Sequence, residues 1–177
     1  MIEVEKTALL NLVLVRPTIF EDHRGTFLDI YHLNGYLKNG VDVQFVRDAI
    51  STSSKNVLRG MHYDDKTWKL IQCLHGKIYF VVVDMRQESP TYLQWESFTL
   101  TDQDRLQVLV PPQFANGHLV LSDQCIFHYK MSEYYDPAKE EILKWDDPRV
   151  NIDWPVKNPI LSVKDSLGYN PELQKKK

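Results

Sequence analysis

Apolar residues along this chain fall into short runs rather than long amphipathic stretches. The runs are Leu12–Arg16, Thr26–Tyr31, Val43–Arg47, Asn56–Met61, Leu70–Leu74, Lys77–Asp84, Gln94–Leu100, Leu106–Val110, His118–Leu121 and Cys125–Met131. Turn formers separate them, among them Arg24-Gly25, His75-Gly76, Ser89-Pro90, Pro111-Pro112, Asn116-Gly117 and Ser122-Asp123. Runs of this length, rich in Val, Ile, Tyr and Phe, predict strands. Only His32–Lys38 and Pro137–Leu143 read as helical, and both are short. Many short strands with few helices predict an all-β sandwich or jelly roll. The stretch Ile78-Tyr79-Phe80-Val81-Val82-Val83 is apolar throughout. It predicts a strand covered on both faces, at the centre of a sandwich or in a contact between two copies.

With 177 residues, 43% hydrophobic and 25% charged, the chain has the size and make-up of one globular domain. That domain is expected over residues 1–168, with 169–177, ending Gln174-Lys175-Lys176-Lys177, as a solvated tail. The net charge of -3 gives no electrostatic ground for binding nucleic acid or an anionic membrane. No apolar run approaches the ~20 residues of a membrane span. Glu3, Glu5 and Lys6 interrupt any secretory pattern, so a cytoplasmic location is expected. Cys73 and Cys125 lie in apolar runs and read as reduced core thiols. Neither has a flanking cation or helix start to lower its pKa, which argues against a cysteine nucleophile.

Candidate chemistry starts at Arg59-Gly60-Met61-His62-Tyr63, with Lys69 a short connection later. An imidazole, a guanidinium suited to phosphate and a second cation are close in sequence. On a regular strand Arg59 and His62 would point to opposite faces, because they are an odd number apart. A bulge at Gly60 would bring both into one cavity. Metal-binding jelly rolls use a His-x-His pair, a Glu and a later His. Here the corresponding slots read His62-Tyr63-Asp64 and Asn116-Gly117-His118, so no metal is expected.

These residues belong to a longer ordered series. It runs from Phe20-Glu21-Asp22-His23-Arg24-Gly25-Thr26-Phe27 through Asn56–Tyr63, Lys69-Leu70, Val83–Thr91, Val110-Pro111 and Phe114-Ala115. It continues with Tyr129-Lys130, Tyr134-Tyr135, Trp145-Asp146-Asp147 and Ser162-Val163-Lys164-Asp165. The series, over about Ile19 to Asp165, resembles the dTDP-4-dehydrorhamnose 3,5-epimerases, which are metal-free cupins. The resemblance implies a cupin jelly roll, a homodimer, and epimerisation of a nucleotide-diphospho-4-keto sugar for surface polysaccharide synthesis. It implies His62 as the base, Asp165 as the carboxylate holding its imidazole, Tyr129 as the acid on the opposite sugar face and Lys69 beside the C4 oxygen. Arg24 and Arg59 would hold the diphosphate and sugar, with Asp29, Arg47, Asn116 and Tyr135 as further substrate contacts. No cofactor is implied, because the C4 ketone of such a substrate is itself the electron sink.

The chain departs from that pattern at four places. The family's Ala-His-Gly reads Ala115-Asn116-Gly117, and its Phe-Asp-Val reads Tyr79-Phe80-Val81. Its Gln-x-Asn reads Arg47-Asp48-Ala49, and the connection Tyr63–Trp68 is short. These changes alter the substrate shell and leave the acid–base residues in place. The leading expectation is therefore a GDP-linked 4-keto-6-deoxy-heptose as substrate. The alternatives are dTDP-4-dehydro-6-deoxyglucose of the rhamnose pathway and a C3-only epimerase. Beyond these stand a 3,4-ketoisomerase on the same scaffold and a sugar-binding cupin without catalysis.

Overall fold

The computed structural model describes residues 2–171. Thirteen strands form the body. They are β1 (Ile2–Lys6), β2 (Val13–Pro17), β3 (Phe20–Asp22), β4 (Gly25–Phe27), β5 (Arg47–Ser54), β6 (Leu58–Tyr63), β7 (Lys69–His75), β8 (Lys77–Asp84), β9 (Trp95–Thr101), β10 (Gln107–Val110), β11 (Phe114–Val120), β12 (Gln124–Met131) and β13 (Glu141–Ile142). Among the described residues two short helices, α1 (Leu33–Lys38) and α2 (Val163–Leu167), accompany them. A six-stranded sheet has the order β1-β2-β10-β7-β12-β5 and a five-stranded sheet the order β13-β6-β11-β8-β9. The hairpin β3–β4 pairs only with itself. This is the all-β jelly roll expected, with every ladder antiparallel.

Three apolar layers hold the sheets. Between them lie Ile71, Cys73, Ile78, Phe80, Val82, Val108, Phe114, Cys125 and Phe127. Cys73 and Cys125 are both free and buried. Alternate residues of β8 point the other way, where Val81 and Val83 pack with Leu143, Val150 and Trp154. That explains the unbroken apolar run of β8: both of its faces are covered by this same chain, so the run itself is no sign of a second copy. Outside the six-stranded sheet, Tyr36 of α1 with Val41 and Val43 covers Val15, Leu70 and Leu109.

Several elements differ from expectation. Pro137–Leu143 is not a helix but a turn leading into β13. There Leu143 exchanges backbone hydrogen bonds with Met61 at 3.0 and 3.3 Å. One turn of Ala-Lys-Glu-Glu propensity is too short to stand alone, and pairing with the β6 edge outweighs it. The expected strand Thr26–Tyr31 stops at Phe27. Val43–Val46 lies outside the named strands, and β5 runs from Arg47 through the polar Ser51–Ser54. Polar residues there suit an edge strand with one solvated face. Strand β1 and helix α2 had no counterpart in the apolar pattern. Residues 172–177 of the expected tail lie outside the described residues. None of the described helices is long and apolar enough to cross a membrane.

Candidate active site

A cavity of about 450 Å³ opens between the sheets. Arg59 and His62 reach it from β6, and Asn116 and His118 from the neighbouring β11. On the facing sheet Lys69 comes from β7, Tyr129 from β12 and Arg47 from β5. His62 and Tyr129 therefore stand on opposite walls of one space.

Arg59 and His62 share the cavity because β6 carries a bulge. Asn116 pairs with His62 and His118 with Arg59, so three steps on β6 match two on β11. Gly60 sits in the bulge at φ +138, where a side chain would be strained. A Cβ there would also come within 2.5 Å of Gly117 Cα, so the two strands approach closely only because both positions are glycine.

His62 Nε2 lies 2.6 Å from Oδ1 of Asp165, which comes from α2 and is 3% exposed. Ser162 caps that helix by accepting from the Asp165 backbone N–H at 3.2 Å. Burial works to raise the Asp165 pKa. The His62 hydrogen bond and charge, with Ser162 and Lys164, outweigh it and hold the carboxyl below its usual range. On the other side of the ring, His62 Nδ1 is 3.8 Å from Oε1 of Glu140, whose Oε2 is held by Lys164 Nζ at 2.6 Å. The imidazole thus has a close carboxylate on one nitrogen and an open nitrogen near a second.

Lys69 Nζ donates to the His62 carbonyl at 3.4 Å. Burial holds its pKa below the usual lysine value, and the charges of Asp64 and Glu140 only partly oppose this. A poorly solvated ammonium of this kind gains most from a negative oxygen brought beside it. Tyr129 is half-buried, its ring 5.5 Å from that of Phe127. Among the described residues no three His, Cys, Asp or Glu side chains are grouped to hold a metal ion.

A base candidate oriented by a carboxylate, a phenol across from it and a buried ammonium suit proton transfer at a carbon next to a carbonyl. The family model described as dTDP-4-dehydrorhamnose 3,5-epimerase matches residues 6–173. The chain belongs to the dTDP-4-dehydrorhamnose 3,5-epimerase family. It is an isomerase of nucleotide sugars. The dTDP-4-dehydrorhamnose 3,5-epimerase of Methanothermobacter thermautotrophicus is 39% identical over 165 residues, spanning 90% of this chain and 89% of that protein. The structure is similar to that of the dTDP-6-deoxy-D-glucose-3,5-epimerase of Legionella pneumophila in complex with dTDP-4-keto-L-rhamnose. There the TM-score is 0.91 at 35% identity, covering 96% of this chain and 92% of that one. It is likewise similar to the dTDP-4-dehydrorhamnose 3,5-epimerase of Bacillus anthracis with TDP and PPi bound. That match has a TM-score of 0.91 at 37% identity, over 94% of this chain and 98% of that one. These relatives of the 3,5-epimerase family are thymidine-linked, and the GDP-linked heptose expectation gains no support from them.

Not every expected contact reaches the cavity. Arg24 sits at the tip of the β3–β4 hairpin, 79% exposed, and pairs with Asp22 at 2.6 Å. Asp29 lies beside Thr18, Phe20 and His32 in a separate small hollow. Neither lines the cavity of its own chain, and Arg24 stays outside it because its hairpin pairs only with itself instead of joining a sheet. Asn116 does line it, but both of its amide protons go to backbone carbonyls, to His62 O at 2.9 Å and Phe114 O at 3.0 Å. It therefore braces the His62 strand and offers a ligand only its carbonyl oxygen. Arg47 lies 5.5 Å above the Tyr135 ring at the cavity mouth. Arg59 donates to Ser53 Oγ at 2.9 Å, bridging the two sheets.

Glu140, Lys164, Ser51 and His118 also line the cavity. Glu140 was hidden inside an expected helix. Lys164 precedes Asp165, and the pattern Ser162-x-x-Asp165 followed by Gly168 was a legible helix cap.

Proposed function

We propose that this protein inverts C3 and C5 of dTDP-4-dehydro-6-deoxyglucose in the rhamnose pathway, as a cytoplasmic homodimer. The observation that carries the reading is the facing pair across one cavity, His62 with Asp165 at 2.6 Å and Tyr129 on the opposite sheet. The names of the relatives supply the thymidine nucleotide and the rhamnose precursor.

The roles follow from the groups. With Nε2 engaged by Asp165, Nδ1 of His62 is the nitrogen left to take the proton from the carbon beside the C4 ketone. The C–H electron pair moves into the ring and the C4 oxygen becomes negative. Lys69, poorly solvated and without a close carboxylate, stabilises that oxygen. Asp165 favours the imidazolium as it forms. Tyr129 gives a proton to the opposite face of the same carbon, which inverts it, and regains one from solvent while the imidazolium releases its proton to solvent. The ketone is restored, so no redox partner is needed. Arg59 and Arg47 bind the diphosphate end.

The dimer reading rests on the β3–β4 hairpin. Phe20 and Phe27 are 59% and 66% exposed there, and Arg24 is turned away from its own cavity. In this reading a second copy covers these rings and takes Arg24 into its own cavity.

The test is turnover in D₂O with calorimetric binding of dTDP and GDP. Entry of two deuterons, at C3 and C5, with a preference for dTDP is expected. A single deuteron at C3 would make this a C3-only epimerase. A clear preference for GDP would restore the heptose reading, which rests on Arg47 and Ala49. No exchange into any nucleotide 4-keto sugar would overturn epimerisation.

A further inference from the structure

The inner end of the cavity holds two polar groups that the proposed mechanism does not use. His118 is 3% exposed, and its ring stacks on Phe127 with centroids 4.0 Å apart and planes at 21°. Ser51 is directly opposite Phe127 in the β5–β12 ladder, so the two side chains share a face. His118 and Ser51 thus flank one aromatic ring, one from each sheet, and both line the cavity.

Among the described residues three buried side-chain polar atoms have no hydrogen-bond partner: Ser51 Oγ, Glu96 Oε2 and His118 Nε2. Two of the three therefore belong to residues that line this one cavity beside Phe127. Buried polar groups are paired in the great majority of cases, and an exception calls for a function or a partner. Burial, reinforced by the charges of Arg59 and His62, pushes the His118 pKa down to about 3, with Asp165 opposing only partly. The ring is therefore neutral at working pH, with one donor and one acceptor nitrogen. Serine likewise both donates and accepts. Two neutral groups of this kind do not balance an anion, and they match a group that can both give and receive a hydrogen bond.

We propose that His118 and Ser51 form a subsite for a ring hydroxyl of the sugar, and that His118 determines specificity by demanding that hydroxyl. The proposal rests on the nucleotide-sugar reading above. Asn116, two residues earlier on the same strand, cannot substitute as a donor, because both of its amide protons are already held by backbone carbonyls.

The experiment compares the 4-keto-6-deoxy nucleotide sugar with its 2-deoxy and 3-deoxy analogues. Deuterium entry at C5 is the readout common to all three. The unmodified protein should prefer the parent over one analogue by about 10- to 100-fold in kcat/KM, since that analogue leaves buried groups unpaired. His118→Phe keeps an aromatic stack and removes both nitrogens. It should lower kcat/KM for the parent by a similar factor, leave that analogue nearly unchanged and so collapse the preference. A purely structural role would lower both alike. Ser51→Ala removes only a hydroxyl and should give a partial collapse, which keeps the test decisive if His118→Phe does not fold. The proposal is overturned if neither analogue is discriminated against, or if the discrimination survives in His118→Phe and Ser51→Ala. In that case exchange into the parent still upholds the epimerase reading. Absence of exchange into all three substrates overturns that reading together with this inference.

Discussion

Asp165 Oδ1 is 2.6 Å from His62 Nε2, although the two residues are 103 positions apart in the chain. The contact joins a bulged strand to a capped one-turn helix. Replacing Asp165 by Asn keeps the shape and the Ser162 cap, which uses the backbone N–H. An amide can donate to Nε2 and so place the ring proton on Nδ1, the nitrogen proposed as base. Asp165→Asn is expected to lower kcat by ~10²–10⁴ with an unchanged circular dichroism spectrum. A folded variant with normal kcat would remove Asp165 from the chemistry.

His62 and Tyr129 are expected to separate exchange from inversion. His62→Asn should reduce deuterium uptake and epimerisation together, by ~10²–10⁴. Tyr129→Phe keeps the base and removes the donor on the facing sheet. It should still wash deuterium in from the His62 side while inverting little, with a smaller loss of exchange if the phenol also stabilises the enolate. Normal inversion of both carbons by Tyr129→Phe would be incompatible with the assignment.

Stability should fall in two steps as pH is lowered. His118 is about 3 in the folded chain against a reference of ~6.5, so below pH ~6.5 the unfolded chain binds a proton that the folded one does not. Its contribution is fully present above that pH and is lost at up to ~1.4 kcal/mol per unit as pH falls towards 3. Asp165, held below its usual range, contributes above pH ~3.9 and loses that contribution as pH falls through its lower folded value. Urea midpoints between pH 7 and 3 measure both. His118→Phe should flatten the upper step and leave the lower one; an unchanged upper step would assign it to another group.

Sedimentation at micromolar concentration should give a dimer. Arg24→Ala touches only the exposed Asp22 pair in its own chain. It should raise KM by about 10-fold with little change in kcat, as expected for loss of a phosphate contact. A monomer, or an unchanged KM, would count against a hairpin shared between copies.

The sheet architecture was legible because strand periodicity and turn residues survive in the apolar runs, and β8 was read at its correct bounds. Strand β5 was not, because its interior positions include Ser51 and Ser53, and polar residues on an inner face carry no apolar alternation. Arg59 and His62 could be placed together only conditionally: whether Gly60 bulges depends on Gly117 across the ladder, which no local pattern reveals. Glu140 reaches His62 because its segment pairs with β6 instead of coiling, an outcome decided by a distant edge. Arg24 is exposed at the tip of the β3–β4 hairpin and does not line its own chain's cavity. A residue can match a motif while its hairpin points away from its own chain's cavity.

Helix α2 also fixes when the molecule becomes competent. Synthesis runs from the N terminus, so the ribosome delivers both sheets, the bulge and the phenol before it delivers Asp165. The sandwich can condense as soon as its strands have emerged. The carboxylate that holds His62 Nε2 is synthesised after the strands of both sheets. On the proposed mechanism a chain that ends just before Ser162 would keep the strands of both sheets and lack the carboxylate that holds the proposed base, so protease trimming there would leave the fold without the oriented imidazole.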